Sequence, residues 1–184
     1  YLHRMSVKRL EGEVLRDSIL AVSGSLNLKL YGKSVGVHLT SFMTGRGRPG
    51  SGPLDGSGRR SVYVSVRRNF LSPMMLAFDT PSPFSSVGRR TVSNVPSQAL
   101  ILMNDPFVLE QARKWADRVV KTPGSLEDRV RGMYERALAR EPSALELAKA
   151  VAFLEAQGKP ENDVAMWQDF AHVLFNVKEF IYIN

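Results

Sequence analysis

The punctuation of the C-terminal half constrains the fold more than any other feature. From residue 96 onward, helix-starting residues recur ahead of apolar positions spaced three and four apart. Pro96 opens one helix through Gln98, Leu100, Ile101 and Leu102. Asp105-Pro106 sets an N-cap before a proline at the first helical position and opens a second, carrying Phe107, Leu109, Ala112, Ala116 and Val119. Pro123-Gly124 breaks it, and Ser125 caps a third with Val130, Met133, Ala137 and Leu138. Ser143-Ala-Leu-Glu146 is a capping box that starts a fourth. Gly158-Lys-Pro160 ends that helix, and Asp163 leads a fifth through Trp167, Phe170, Ala171, Leu174 and Val177. The short connections predict antiparallel neighbours. Near the other end, residues 5–23 carry the same periodicity, with Gly24 as a C-terminal stop.

Between these helical regions the pattern changes. Residues 60–67 (RSVYVSVR) alternate, with Val62, Val64 and Val66 on one side, and predict a strand. A lone strand needs a partner, and 26–30 and 34–40 are the weaker candidates. Residues 73–78 predict a short helix, and 79–95, rich in proline and serine, an extended connection. Residues 41–58, with Gly45-Arg-Gly-Arg-Pro-Gly-Ser-Gly, read as a flexible loop; the glycines match neither a phosphate-binding nor a dinucleotide-binding pattern. The expected fold is mainly α with a small β element (α+β). The Arg-rich strand and loop segment packs beside C-terminal antiparallel helices, within a single module over 1–184. The chain opens Tyr1-Leu2-His3 and enters a helical pattern almost at once, which predicts a segment of a longer protein.

Several chemistries are excluded by composition. The chain has no cysteine, so disulfides, thiolate zinc sites, a thiol nucleophile and covalent haem attachment have no residues to use. His3, His38 and His172 are scattered. The longest apolar runs, 74–78 and 99–103, fall far short of the roughly 18 residues of a membrane span. The formal charge of +7 is concentrated: residues 29–90 hold ten Lys/Arg but only two acids, Asp55 and Asp79. Such a segment either meets an anion or hydrogen-bonds internally.

Segments RLEGEVLRDSILAVSG at 9–24, RRSVYVSVRRN at 59–69, FDTPSP at 78–83 and GRRTVSNVPSQALILMNDPFVLEQA at 88–112, with Trp167, Leu174-Phe175-Asn176 and Glu179-Phe180-Ile181-Tyr182, occur together and in order. In this the chain resembles the planctomycete-specific domain of unknown function number 1553. The resemblance implies a C-terminal domain of a large exported protein, periplasmic, envelope-bound or secreted, often carrying a cytochrome c domain upstream. Any haem would then belong to an upstream domain, and no cofactor to this segment. Many family members carry a cysteine between the FD-x-P element and the paired arginines; here that stretch is Pro83-Phe84-Ser85-Ser86-Val87.

The candidate binding residues are Arg59, Arg60, Arg67, Arg68, Arg89 and Arg90, with Asp79. A guanidinium taken out of water needs a carboxylate or carbonyls in fork geometry, and Asp79 and Asp105 are the acids nearest the matched motifs. A buried Arg–Asp network is weighed ahead of an anion site. Phe78-Asp79-Thr80-Pro81 reads as a turn whose carboxylate accepts local N–H groups. Asp105, Ser125 and Ser143 are structural caps. Gln98 and Asn104 are expected to bind loop backbone. His172, Asn176 and Glu179 share a helix face but are favoured as surface or capping residues over metal ligands, and Met74-Met75 as core filler over haem ligands. No nucleophile–base pair stands out, so no catalytic or metal residue is assigned. The functional expectation is a non-catalytic interaction or scaffold module whose partners are upstream domains. One alternative is a module for anionic polysaccharide using 46–90; another is part of a redox-coupled envelope enzyme. Nucleic acid is not expected as a partner.

Overall fold

The computed structural model describes residues 6–158 and 163–183. The order is β1 (Lys8–Arg9), α1 (Gly12–Ser23), two 3₁₀ turns (Gly56–Gly58 and Ser61–Tyr63), α2 (Pro73–Ala77), α3 (Pro96–Asn104), α4 (Pro106–Val119), α5 (Leu126–Leu138), α6 (Ala144–Gln157), α7 (Val164–Asn176), α8 (Lys178–Ile181) and β2 (Tyr182–Ile183). Mainly α with a small β element is therefore the observed class. Helices begin where the predicted caps sit. Asp105 accepts from Phe107 N, and both Ser125 and Ser143 close reciprocal boxes with Asp128 and Glu146. The first helix is shorter than predicted: it starts at Gly12, and Gly24, at φ 76°, ends it. Lys159 and Pro160, in the predicted stop of the fourth helix, lie outside the described residues.

Helix α7 is the centre of the core. Its Trp167, Phe170, Ala171, Leu174 and Phe175 are buried against Val108, Ala112, Trp115 and Ala116 of α4, the largest helix–helix interface. Trp115 and Phe175 lie 5.4 Å apart, ring centre to ring centre, an offset aromatic geometry. Helix α1 closes one side with Leu15, Ile19 and Leu20. Val130 and Met133 of α5 and Ala150 and Leu154 of α6 close another.

The β element is not where the alternation placed it. The only sheet among the described residues pairs β1 with β2, antiparallel, tying residues 8–9 to residues 182–183. RSVYVSVR forms no strand. It makes a 3₁₀ turn at Ser61–Tyr63 and a single parallel bridge, Val35 with Val64; Val62 and Val66 are exposed. The reason lies in α1: Asp17 accepts from both Ser61 N and Ser61 Oγ, at 2.7 Å each. Fixing Ser61 on the helix curls the chain where a strand would have to stay extended.

Residues 25–70 thus form a helix-free layer across α1. Part of 41–58 is packed into it. Gly52 abuts Gly36, where an added Cβ would come within 1.9 Å of Gly36 O, and Gly56 and Gly58 are buried. The layer has a small core of its own: Val37, Leu39 and Phe70, flanked by Met43 and Val64.

Candidate functional site

The layer is fastened by guanidinium groups. Arg16, on the buried side of α1, is 7% exposed. Its Nη1 donates to Arg59 O (2.9 Å) and Ser61 Oγ (3.1 Å), and its Nη2 to Asp55 O (2.8 Å). Phe107 lies under the guanidinium at 5.5 Å. Burial pushes the Arg16 pKa down, against the charges of Asp17 and Asp55, which push it up. Arg59 is buried too: it donates to Tyr31 O (2.8 Å) and stacks 4.1 Å above the Tyr63 ring. Asp55 caps the turn at Ser57 N and takes Lys114 at 2.9 Å. Its carboxyl is pushed up by burial, but the Lys114 contact outweighs this and holds it below the ordinary value.

A second knot sits at the other end of α1. Asp79, at φ 60°, takes Arg9 and accepts from Ser93 N and Ser93 Oγ, both at 2.8 Å. Arg9 also lies 5.0 Å over Phe78. Arg90 binds Glu11 and Glu13. Burial pushes the Glu13 carboxyl up, and its bond to Arg90, the Arg90 charge and hydrogen bonds from backbone and Thr80 together bring it below the ordinary value.

The predicted arginines therefore divide. Arg59 is buried, Arg90 is partly exposed but paired with Glu11 and Glu13, and Arg60 reaches Asp17 only at 3.5 Å with its side chain half exposed. Arg67, Arg68 and Arg89 are exposed and have no side-chain partner among the described residues. Asp79 pairs with Arg9, not with a predicted arginine, and its N–H partner is Ser93, fourteen residues on, rather than a neighbour in the turn. Asp105 pairs with no arginine. Arg9, Arg16 and Asp17, which hold the layer, carried no signal that sequence reasoning used.

The remaining residues sit as follows. Gln98 donates to Ala77 O and Ser93 O, binding loop backbone, whereas Asn104 donates to Leu100 O of its own helix. His172 Nε2 meets Leu102 O at 2.9 Å, Asn176 donates to His172 O, and Glu179 takes Arg140. Met74 is buried in the main core.

One cleft of about 100 Å³ opens between the layer, the start of α2 and the α3–α4 corner. Val37, Leu54 and Val64 line it from the layer, Met74 and Met75 from α2, and Phe107 from α4. Its polar groups are the Arg16 guanidinium, His38, Thr40, Ser72 and Asp105. Arg16 already donates to Asp55 O, Arg59 O and Ser61 Oγ. His38 Nδ1 lies 3.1 Å from Gly52 O; a carbonyl only accepts, so Nδ1 carries a proton and donates to it. Asp105 Oδ1 caps α4, while Oδ2 has no donor among the described residues. Burial raises the Asp105 carboxyl pKa, against the helix N–H and the charge of His38. The cleft thus offers apolar walls, the hydroxyls of Thr40 and Ser72, the His38 ring and a carboxylate oxygen of Asp105.

Fold and site together define a mainly α domain bearing an arginine-clamped loop layer with a cleft along its seam. The chain belongs to the PSD1 family, described as "Protein of unknown function (DUF1553)", whose family model matches residues 1–154. No curated protein and no solved structure matches it.

Proposed function

We propose that this chain is a non-catalytic interaction module of an exported bacterial multidomain protein in the cell envelope, working beside upstream domains, one of which would carry haem where the full-length protein has it. The supporting observation is the inward guanidinium network. Arg16 and Arg59 hold an irregular layer on α1, and Arg9 and Arg90 tie the connection that follows it to the start of that helix; charge paired and hydrogen-bonded inward in this way favours one conformation. A fixed loop layer presents a surface without needing to move. The test is titration of this chain into the separately expressed upstream part of its own protein, followed by calorimetry. Saturable association supports the reading. Absence of association, or a saturable turnover by this chain alone in hydrolase and redox assays, overturns it.

A second reading, a module for anionic polysaccharide, is favoured by the other half of the arginines. Arg46, Arg67, Arg68 and Arg89 are exposed and unpartnered among the described residues. Both acids of the basic segment are already engaged, Asp55 by Lys114 and Asp79 by Arg9. Binding to oligogalacturonate or a sulfated oligosaccharide that weakens with salt is the expected result.

A further inference from the structure

We propose that the cleft holds one sugar ring of an acidic polysaccharide, with Arg67, Arg68 and Arg46 taking the acidic groups of neighbouring rings; this rests on the second reading above and assigns it a specificity site.

Size sets a limit. A cavity of about 150 Å³ accepts benzene, so a partly open cleft of about 100 Å³ takes one edge of a six-membered ring and leaves the rest in solvent. The chemistry fits. The C–H faces of a pyranose suit the walls formed by Val37, Met75 and Phe107, and its hydroxyls donate to Asp105 Oδ2 and hydrogen-bond the His38 ring and the Thr40 and Ser72 hydroxyls. Asp105 also excludes the wrong part of the ligand. A carboxylate with a free oxygen repels a uronic or sulfate group, so the acidic substituents must lie outside the cleft.

Outside, on the same piece of structure, are the arginines. Val37 and Val64 line the cleft and also pack on Phe70. Phe70 N bonds back to Arg67 O, which sets Arg67 and Arg68 in the turn beside that small core. Gly45 lies against the Phe70 ring, placing Arg46 on the same edge. Phe42, 92% exposed in that edge, adds an aromatic face for a further ring. Cleft and cations therefore share one piece of the layer, joined through the small core at Phe70.

The test is calorimetric titration of this chain with oligogalacturonate, a sulfated oligosaccharide, neutral dextran oligomers and single-stranded DNA, each at two salt concentrations. Two variants address the cleft: Asp105→Asn, which keeps a capping side chain, and Thr40→Trp, which fills the rim. A third, Arg67→Ala/Arg68→Ala, addresses the anion contacts. Expected are roughly tenfold losses for both cleft variants with an unchanged salt slope, the cost of one charged hydrogen bond or of a blocked ring. The double arginine variant should lose affinity and flatten the salt slope. Acidic glycan binding that responds to the arginines but not to Asp105→Asn or Thr40→Trp overturns the cleft assignment and leaves the second reading standing. Tighter binding by Asp105→Asn also overturns it, because an anion would then be entering the cleft. Failure of both acidic glycans to bind removes the second reading itself, and tighter binding of single-stranded DNA than of either glycan overturns both.

Discussion

Replacing Arg16 by Met keeps the unbranched apolar stem of the side chain and deletes the guanidinium. Two buried carbonyls, Asp55 O and Arg59 O, then lose their donors. Hydrogen bonds to a charged group contribute roughly 1.5–3 kcal/mol each, which gives about 3–6 kcal/mol for the pair. The Ser61 hydroxyl is not orphaned, because it still reaches Glu13 O and Asp17. Methionine also recovers part of the contact with Phe107. A net loss of about 4 kcal/mol is therefore expected, a large fraction of a typical domain stability of about 5–15 kcal/mol. In a chain of this size it corresponds to a fall in Tm of roughly 8–16 °C. Urea unfolding followed by tryptophan fluorescence measures it, since Trp115 and Trp167 are buried in the helical core. Arg16→Lys should recover little, because an ammonium cannot serve two carbonyls in fork geometry. Limited proteolysis supplies a second readout, with cleavage rising within 41–58 before the helices are attacked. A loss below about 1 kcal/mol for Arg16→Met, or a lysine variant as stable as the parent, refutes the idea that this guanidinium fastens the layer.

Asp79→Ala should cost about 3 kcal/mol, measured by urea unfolding, since it leaves Arg9, with a side chain 5% exposed, without its carboxylate. Asp79→Asn, which tolerates φ 60° and can still accept from Ser93, should cost less. Gly58→Ala should be among the most damaging small substitutions, because at φ 68° the new methyl would lie 2.2 Å from Ser25 O; Gly47→Ala, at φ 75° with open space around it, should cost only about 1 kcal/mol by the same measurement. Acid titration of stability should show the Arg140 cluster. Hydrogen bonds from Arg140 and then from Ser143 bring the Glu146 carboxyl down from 4.5 to about 2, and Arg140 also lowers Glu179. A depressed carboxyl stabilises above its unfolded pKa and stops doing so as pH falls through the folded one, so the urea midpoint should drop between about pH 4.5 and 2, and Arg140→Gln should flatten that drop.

What could be read from the sequence was what local chemistry decides. Asp105, Ser125 and Ser143 are caps because each serine or aspartate bonds backbone two or three residues ahead, a relation wholly contained in a short window. The helices of the C-terminal half followed for the same reason. Arg16 escaped notice because its partners are backbone carbonyls 39 and 43 residues away, and a carbonyl has no sequence signature. The strand at 60–67 was misread by the same route. Alternation reports side-chain faces, but whether a face forms depends on a partner edge. Here Asp17, 44 residues earlier, captured Ser61 first. The sheet that does form joins residues 8–9 to 182–183, a pairing too short and too distant for periodicity to reveal. His38 and Asp105 lie 67 residues apart in sequence and meet only because the layer folds over the α3–α4 corner.

The split among the arginines follows from where the acids are. A buried cation must be paired or fully hydrogen-bonded, and the carboxylates within reach of the layer come mainly from α1 and the residue before it. Glu11 and Glu13 take Arg90, and Asp17 serves Arg16 and, at longer range, Arg60. Asp55, one of the layer's own acids, is engaged by a lysine from α4. The edge built on Phe70, with Arg46, Arg67 and Arg68, has no acid in its own sequence from 29 to 54 or from 56 to 78. Surplus arginines on that edge can only face water, and their field is not cancelled by a neighbour. The same layer is thereby neutralised where it meets α1 and left cationic where it turns away. That gradient is a consequence of placing acids on the helix and arginines on the loops. It makes the outer edge, beside the cleft, the surface at which a charged partner would be felt first.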